Sequence, residues 1–217
     1  MQTLTEKILK LRPIGGLFDS TEVDVLFPNV TLAAKKSLLN KALRKGEIVR
    51  LAPGNYSLSH DLGKQNSHSF AIALRICGPS YLTMESALSY HDMIPESVHQ
   101  FACGITGRSR SYTNFFGRFD YYRILCNPFM ADVFSVKLNE MDWGFIAGPV
   151  RAIADIIYTR KNIDCKGNCL AFLLDSLRIE LEDIEKIPAN DFDLVISSFN
   201  NYRVKKFLDS VRKDIYR

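Results

Sequence analysis

Hydrophobic positions in the first sixty residues recur at helical spacing three times and then switch to strand-like alternation. Thr3 and Glu6 have capping-box spacing, Ile8, Leu9 and Leu11 supply an apolar edge, and Pro13 stops the helix. Asp19 and Glu22 repeat that spacing ahead of Val23, Val25, Leu26 and Phe27, with Pro28 closing a second, short helix. A third is predicted from about Thr31 to Lys45, ended by Gly46. Glu47–Leu51 and Asn55–Leu58 then read as two strands around Ala52-Pro53-Gly54-Asn55, where Pro followed by Gly suits a type II turn. Three helices and a two-stranded hairpin are the order of a winged helix-turn-helix.

Downstream the pattern is more mixed. His60 to Ser69 is polar and reads as a linker. Helices are predicted over Phe70–Cys77 and Thr83–His91. Short strands follow at Phe101–Ile105, Tyr112–Phe116, Phe119–Leu125 and Phe134–Leu138, separated by Gly107, Gly117 and Asn127-Pro128. Pro149 opens a helix through Tyr158, and Leu170 to Ile215 reads as several more. The expected fold class is therefore α+β. An N-terminal winged helix-turn-helix over 1–60 and a linker over 61–69 precede a mixed α/β domain with antiparallel strands and a helical C-terminal part over 70–217.

Composition adds little until charge is mapped. The 217 residues are 47% hydrophobic and 24% charged, an ordinary globular balance. No apolar run approaches the roughly 20 residues that span a bilayer. Met1 to Lys10 lacks a signal-peptide pattern, so a cytoplasmic location away from membranes is expected. Five cysteines (77, 103, 126, 165 and 169) are then expected as reduced thiols. The net charge is +4, yet Thr31 to Leu58 alone carries six basic residues against Glu47, a charge of +5, and the other 189 residues sum to −1. A positive excess confined to one short segment is the footprint of a polyanion-binding surface.

On a wheel of 100° per residue, Leu32, Leu38, Leu39, Ala42 and Leu43 of the third helix share one arc, expected to face the other helices. Lys36, Ser37, Asn40, Lys41 and Arg44 fall on the opposite side. Arg forks onto guanine and Asn onto adenine in a major groove, while Lys and Ser meet phosphates. Arg50, on the hairpin, is placed to reach the adjacent backbone or minor groove. A basic helix face is more often merely solvated; here the helix pair before it and the hairpin after it favour DNA. RNA is disfavoured, because no run of aromatics has the spacing of a stacking platform.

Other constellations point to no reaction. Cys165 and Cys169 sit four apart without a second ligand pair, and His60, His68, His91 and His99 form no metal or general-base motif. Asp155, set among Ile153, Ile156 and Ile157, reads as a partly buried carboxylate that caps a helix or pairs with an arginine. There is no P-loop, dinucleotide fingerprint or nucleophile elbow. Neither catalysis nor a cofactor is expected. Arg108, Arg110, Arg118 and Arg123 interleave with Tyr112, Phe115, Phe116, Phe119, Tyr121 and Tyr122. That is a half-buried hairpin with aromatics inward, or else a second basic surface that grips nucleic acid or a partner.

Several segments resemble one family in order. Gly78-Pro79-Ser80-Tyr81-Leu82-Thr83-Met84-Glu85-Ser86-Ala87-Leu88-Ser89-Tyr90-His91 with Met93-Ile94-Pro95 is similar to a stretch of the AbiEi-type antitoxins of abortive-infection toxin–antitoxin systems. So are Thr106-Gly107-Arg108-Ser109-Arg110 and Gly117-Arg118-Phe119-Asp120-Tyr121-Tyr122. Ile146 to Tyr158 resembles the family's A-x-P-E-+-A-L-x-D helix, and Arg44 to Tyr56 its wing. The resemblance spans roughly residues 3 to 160. Val150 stands where the family often has an acid, and Thr83 where it often has serine. The resemblance implies a winged helix that binds inverted repeats in its own promoter, acting as a transcriptional repressor. It also implies a C-terminal domain that neutralises an adjacent nucleotidyltransferase-like toxin, with direct binding left open.

The function expected is thus an antitoxin and DNA-binding autoregulator whose partner is double-stranded operator DNA. The alternative is an antitoxin that inhibits its toxin by direct binding, with little DNA-binding role.

Overall fold

The computed structural model describes residues 3–62, 67–95, 100–140, 142–163 and 168–216. Cys165, His99 and the linker positions Gly63, Gln65 and Asn66 lie outside the described residues. The fold is mixed α+β and divides into two compact units. The first comprises Met1–Gly78, Tyr112–Arg118 and Lys137–Trp143; the second, Pro79–Ser111, Phe119–Val136 and Gly144–Arg217.

In the first unit, helix α1 (Leu4–Leu11) begins at a capping box. The Glu6 amide donates to Thr3 Oγ1 and the Thr3 amide to the Glu6 carboxylate. Helix α2 (Ser20–Leu26) has the same device: Asp19 Oδ1 accepts from the amides of Thr21 and Glu22, and the Asp19 amide donates to Glu22. Helix α3 (Leu32–Arg44) is capped by Thr31, whose Oγ1 accepts from the Ala34 amide at 3.3 Å. Gly46 follows at φ +68°, the left-handed conformation that glycine adopts without strain.

Three short strands, β1 (Leu17–Asp19), β2 (Ile48–Ala52) and β3 (Asn55–Leu58), form an antiparallel sheet in the order β1-β3-β2. Gly54 (φ +81°) turns β2 into β3. The core beneath joins Ile8, Phe18, Val23, Phe27, Leu39, Ala42, Ile48 and Tyr56. Leu38 and Leu43 pack against it, but Leu32, expected on the buried arc, is 65% exposed. Leu32 is the first residue of α3, so the helical wheel holds for it while the packing does not. Helix α4 (Ser69–Ile76) also belongs to this unit. Just before it, within the expected linker, Ser67 donates to the Gly15 carbonyl and the His68 amide to Asp142 Oδ2 at 2.7 Å.

A further sheet has six strands in the order β6-β7-β5-β4-β9-β8. Its strands are β4 (Ser80–Leu82), β5 (Gln100–Ile105), β6 (Arg110–Asn114), β7 (Gly117–Arg123), β8 (Val133–Lys137) and β9 (Trp143–Ala147). Strand β4 pairs antiparallel with β5 and parallel with β9, Leu82 lying opposite Ile146. The sheet thus holds the expected antiparallel pairing together with one parallel pair. Helix α5 (Met84–Tyr90) packs on α6 (Pro149–Thr159), whose residues 150–157 are all buried. The C-terminal part is helical as expected. It comprises α7 (Cys169–Ala171) running into a π-turn at Phe172–Ser176, then α8 (Leu181–Glu185), α9 (Ala189–Ser198) and α10 (Tyr202–Ile215).

Candidate nucleic-acid interface

Packing on α1 and β2 leaves one side of α3 buried, at Leu39 (7% exposed) and Ala42 (3%). The side opposite meets solvent: Lys36, Ser37, Asn40, Lys41 and Arg44 are all exposed. Arg50, on β2, is exposed as well. Two of the six bases in this segment are already spent on acids. Lys35 Nζ lies 2.8 Å from Asp24 Oδ1 and Lys45 Nζ 3.4 Å from Glu47 Oε1. Glu47 also accepts a 2.6 Å hydrogen bond from Thr5, which, with Lys45 and Lys41 nearby, holds its carboxyl below the usual range. Lys36, Lys41, Arg44 and Arg50 stand in no ion pair among the described residues. Arg44 reaches back along the helix, its Nε donating to the Asn40 carbonyl at 3.4 Å. The result is an exposed surface of unpaired positive charge.

Within the same unit, Asn114 Nδ2 donates to the Leu51 carbonyl at 3.0 Å, next to Arg50. Asn114 Oδ1 accepts from the Phe116 amide, tightening that turn.

The arginines of the strand-rich middle divide. Arg108, Arg110, Arg118 and Arg123 are all exposed. Arg110 Nε donates to the Arg108 carbonyl and the Arg123 amide to Ser109 Oγ, so Arg108, Arg110 and Arg123 gather at one end of the β6–β7 pair, in the second unit. Arg118 falls in the first. Phe119 and Tyr121 are buried as an inward aromatic face requires, but Phe115 is 85% exposed and does not belong to it.

The described histidines, His60, His68 and His91, are dispersed. His60 is exposed, and His91 Nε2 lies 2.9 Å from the Ala147 carbonyl. His68 Nδ1 accepts from the Phe70 amide and caps α4, and burial lowers its pKa. No group of three or more His, Cys, Asp or Glu among the described residues could hold a metal ion.

Sequence reasoning singled out Asp155 but missed the rest of the chief polar cluster of the second unit. Arg151 and Asp155, one turn apart on α6, form a wholly buried ion pair with Nε–Oδ1 at 3.0 Å. Asp155 Oδ2 accepts from Thr83 Oγ1 (2.7 Å) and Tyr81 OH (2.8 Å). The Arg151 guanidinium also donates to the Ala131 carbonyl, the Tyr81 hydroxyl and Cys126 Sγ. Of the two roles expected for Asp155, the structure shows pairing with an arginine, and full burial in place of partial. Burial raises its carboxyl above the usual range against the opposing pull of Arg151. One cation in an otherwise apolar helix was the signal available. With both side chains shut from solvent, the cluster joins β4 and the 126–132 loop to α6 rather than meeting a substrate.

No family model matches the chain, and no curated protein matches it. The antitoxin resemblance accordingly rests on the sequence motifs. No helix among the described residues is long and apolar enough to cross a membrane.

Proposed function

We propose that the chain is a DNA-binding autoregulator and antitoxin of a toxin–antitoxin operon, with α1–α3 and the β2–β3 hairpin working as a winged helix-turn-helix. The observation that carries the DNA-binding reading is the split of α3: Leu39 and Ala42 are buried while Lys36, Ser37, Asn40, Lys41 and Arg44 are all exposed, with Arg50 exposed on the hairpin. In this reading α3 lies in the major groove, Asn40 and Arg44 read base edges, Lys36 and Lys41 meet phosphates, and Arg50 follows the neighbouring backbone. The antitoxin role comes from the family resemblance, as do operator inverted repeats and a nucleotidyltransferase-like toxin as second partner.

The test is a mobility-shift titration of the full chain on the DNA upstream of its own operon, with scrambled duplex as competitor. A specific shift, lost when Lys36, Asn40, Lys41 and Arg44 are all replaced by alanine, supports the reading. An unchanged shift in that variant overturns it. No shift, together with co-purification of the neighbouring gene product, favours the direct-inhibition alternative.

A further inference from the structure

Between α3 and the β2–β3 hairpin lies a cavity of about 450 Å³, within the range of small-molecule sites. Its floor is apolar: Val23, Leu39 and Tyr56 are each less than one-tenth exposed. Leu32 and Leu43 add apolar wall. This gives the 65% exposure of Leu32 a use, since a leucine left out of the core lines the cavity instead.

The charges around that floor are unbalanced. Asp24, the one acid lining it among the described residues, is neutralised by Lys35 at 2.8 Å. Lys36 from the helix and Arg50 from the hairpin remain, and the exposed Asn40 lines the cavity beside them. Phosphate alone has no use for a greasy floor, and a purely apolar ligand has none for two cations. Both features suit a molecule with an apolar body and one anionic head.

We propose that this cavity binds a small amphipathic anion, a ring-bearing carboxylate, sulfonate or phosphate ester, and that occupancy competes with duplex DNA for Lys36, Asn40 and Arg50. The competition rests on the operator-binding reading; occupancy of the cavity does not. The body seats on Leu39 and Tyr56, and the head lies between Lys36 and Arg50. A filled cavity then takes two cations and one amide away from the nucleic-acid face, which is the logic of ligand-relieved repression.

The test uses anilinonaphthalene sulfonate, whose fluorescence rises on leaving water, titrated into the full chain. Leu32→Asp and Arg50→Ala are the site variants, both at exposed positions, and Lys186→Ala is the charge control in the other unit. Matching thermal unfolding curves establish that the variants are folded. Saturable one-to-one binding, weakened roughly fivefold or more by each site variant and not by the control, is expected. Displacement of the probe by operator duplex is expected too. Absence of saturable binding, or binding indifferent to both site variants, overturns the proposal. Variant-sensitive binding that duplex fails to displace upholds the site and overturns the competition. A mobility shift without probe then reports on the operator reading separately.

Discussion

Arg151 Nε and Asp155 Oδ1 meet at 3.0 Å with neither side chain exposed to solvent. A buried pair is a poor source of net stability but costly to break, because the surviving charge is left without its counter-ion. Arg151→Met or Asp155→Leu alone should therefore destabilise the chain by about 3–5 kcal/mol. The double variant should cost less than the sum of the two, since it buries no orphaned charge. Urea unfolding of the full set checks this; simple additivity would contradict it.

Burial pushes the Asp132 carboxyl up to about 7, Asp191 and Asp155 adding to the rise. The Arg151 amide, donating to it at the start of α6, and the Arg151 charge oppose that rise. The folded chain thus keeps a proton there that the unfolded chain releases near pH 4. Its contribution is complete in acid and declines as pH climbs toward 7. The decline attributable to this one group should not exceed about 1.4 kcal/mol per pH unit. Asp132→Asn should flatten that part of the profile, as read from denaturant midpoints between pH 4.5 and 7.5 (roughly the window set by the two pKa values). A profile as steep as that of the parent chain would count against it.

On α3, the proposed base readers and phosphate contacts should separate experimentally. Replacing Lys36 or Lys41 should weaken binding to every duplex and reduce the salt slope by about one unit each. Replacing Asn40 or Arg44 should cost about 1–3 kcal/mol on operator and relax base preference. Fluorescence anisotropy across a salt series, on operator and scrambled duplex, distinguishes the two patterns.

A Cβ placed on Gly104 would fall 2.3 Å from Cζ of the Tyr81 ring. That ring is buried, and its hydroxyl is held between Arg151 and Asp155, so it has little freedom to retreat. Gly104→Ala should cost about 1–3 kcal/mol by overpacking. An unchanged thermal midpoint would show that β5 yields instead.

Much of the first unit was legible because its signals are local. Thr3 with Glu6 and Asp19 with Glu22 carry capping boxes within four residues, and Pro53-Gly54 writes the hairpin turn into two. The exposed residues of α3 followed from its helical periodicity, and Arg50 was singled out by its place on the hairpin. Strands β1, β4 and β9 escaped notice since two are only three residues long and β4 finds its parallel partner more than sixty residues away. The Arg151 cluster was hidden for a related reason. Its members come from four separate stretches of chain, around positions 81, 126, 132 and 151, and no spacing rule links them. Asp155 could be singled out by its apolar neighbours, and Arg151 stands one helical turn before it; Tyr81, Cys126 and Asp132 carried no such signal.

The hydrogen bond from Asn114 to the Leu51 carbonyl bears on how the molecule can be cut. A gene fragment stopping at residue 60 would encode every helix and strand of the compact N-terminal body up to its hairpin, yet discard the side chain that anchors the rim of that hairpin. It would also lose α4 and the His68–Asp142 tether. Loss of the proposed DNA affinity in such a clone would report a missing brace, not a missing contact surface, and the ribosome faces the same wait, unable to finish the first-made portion until residue 143 has emerged.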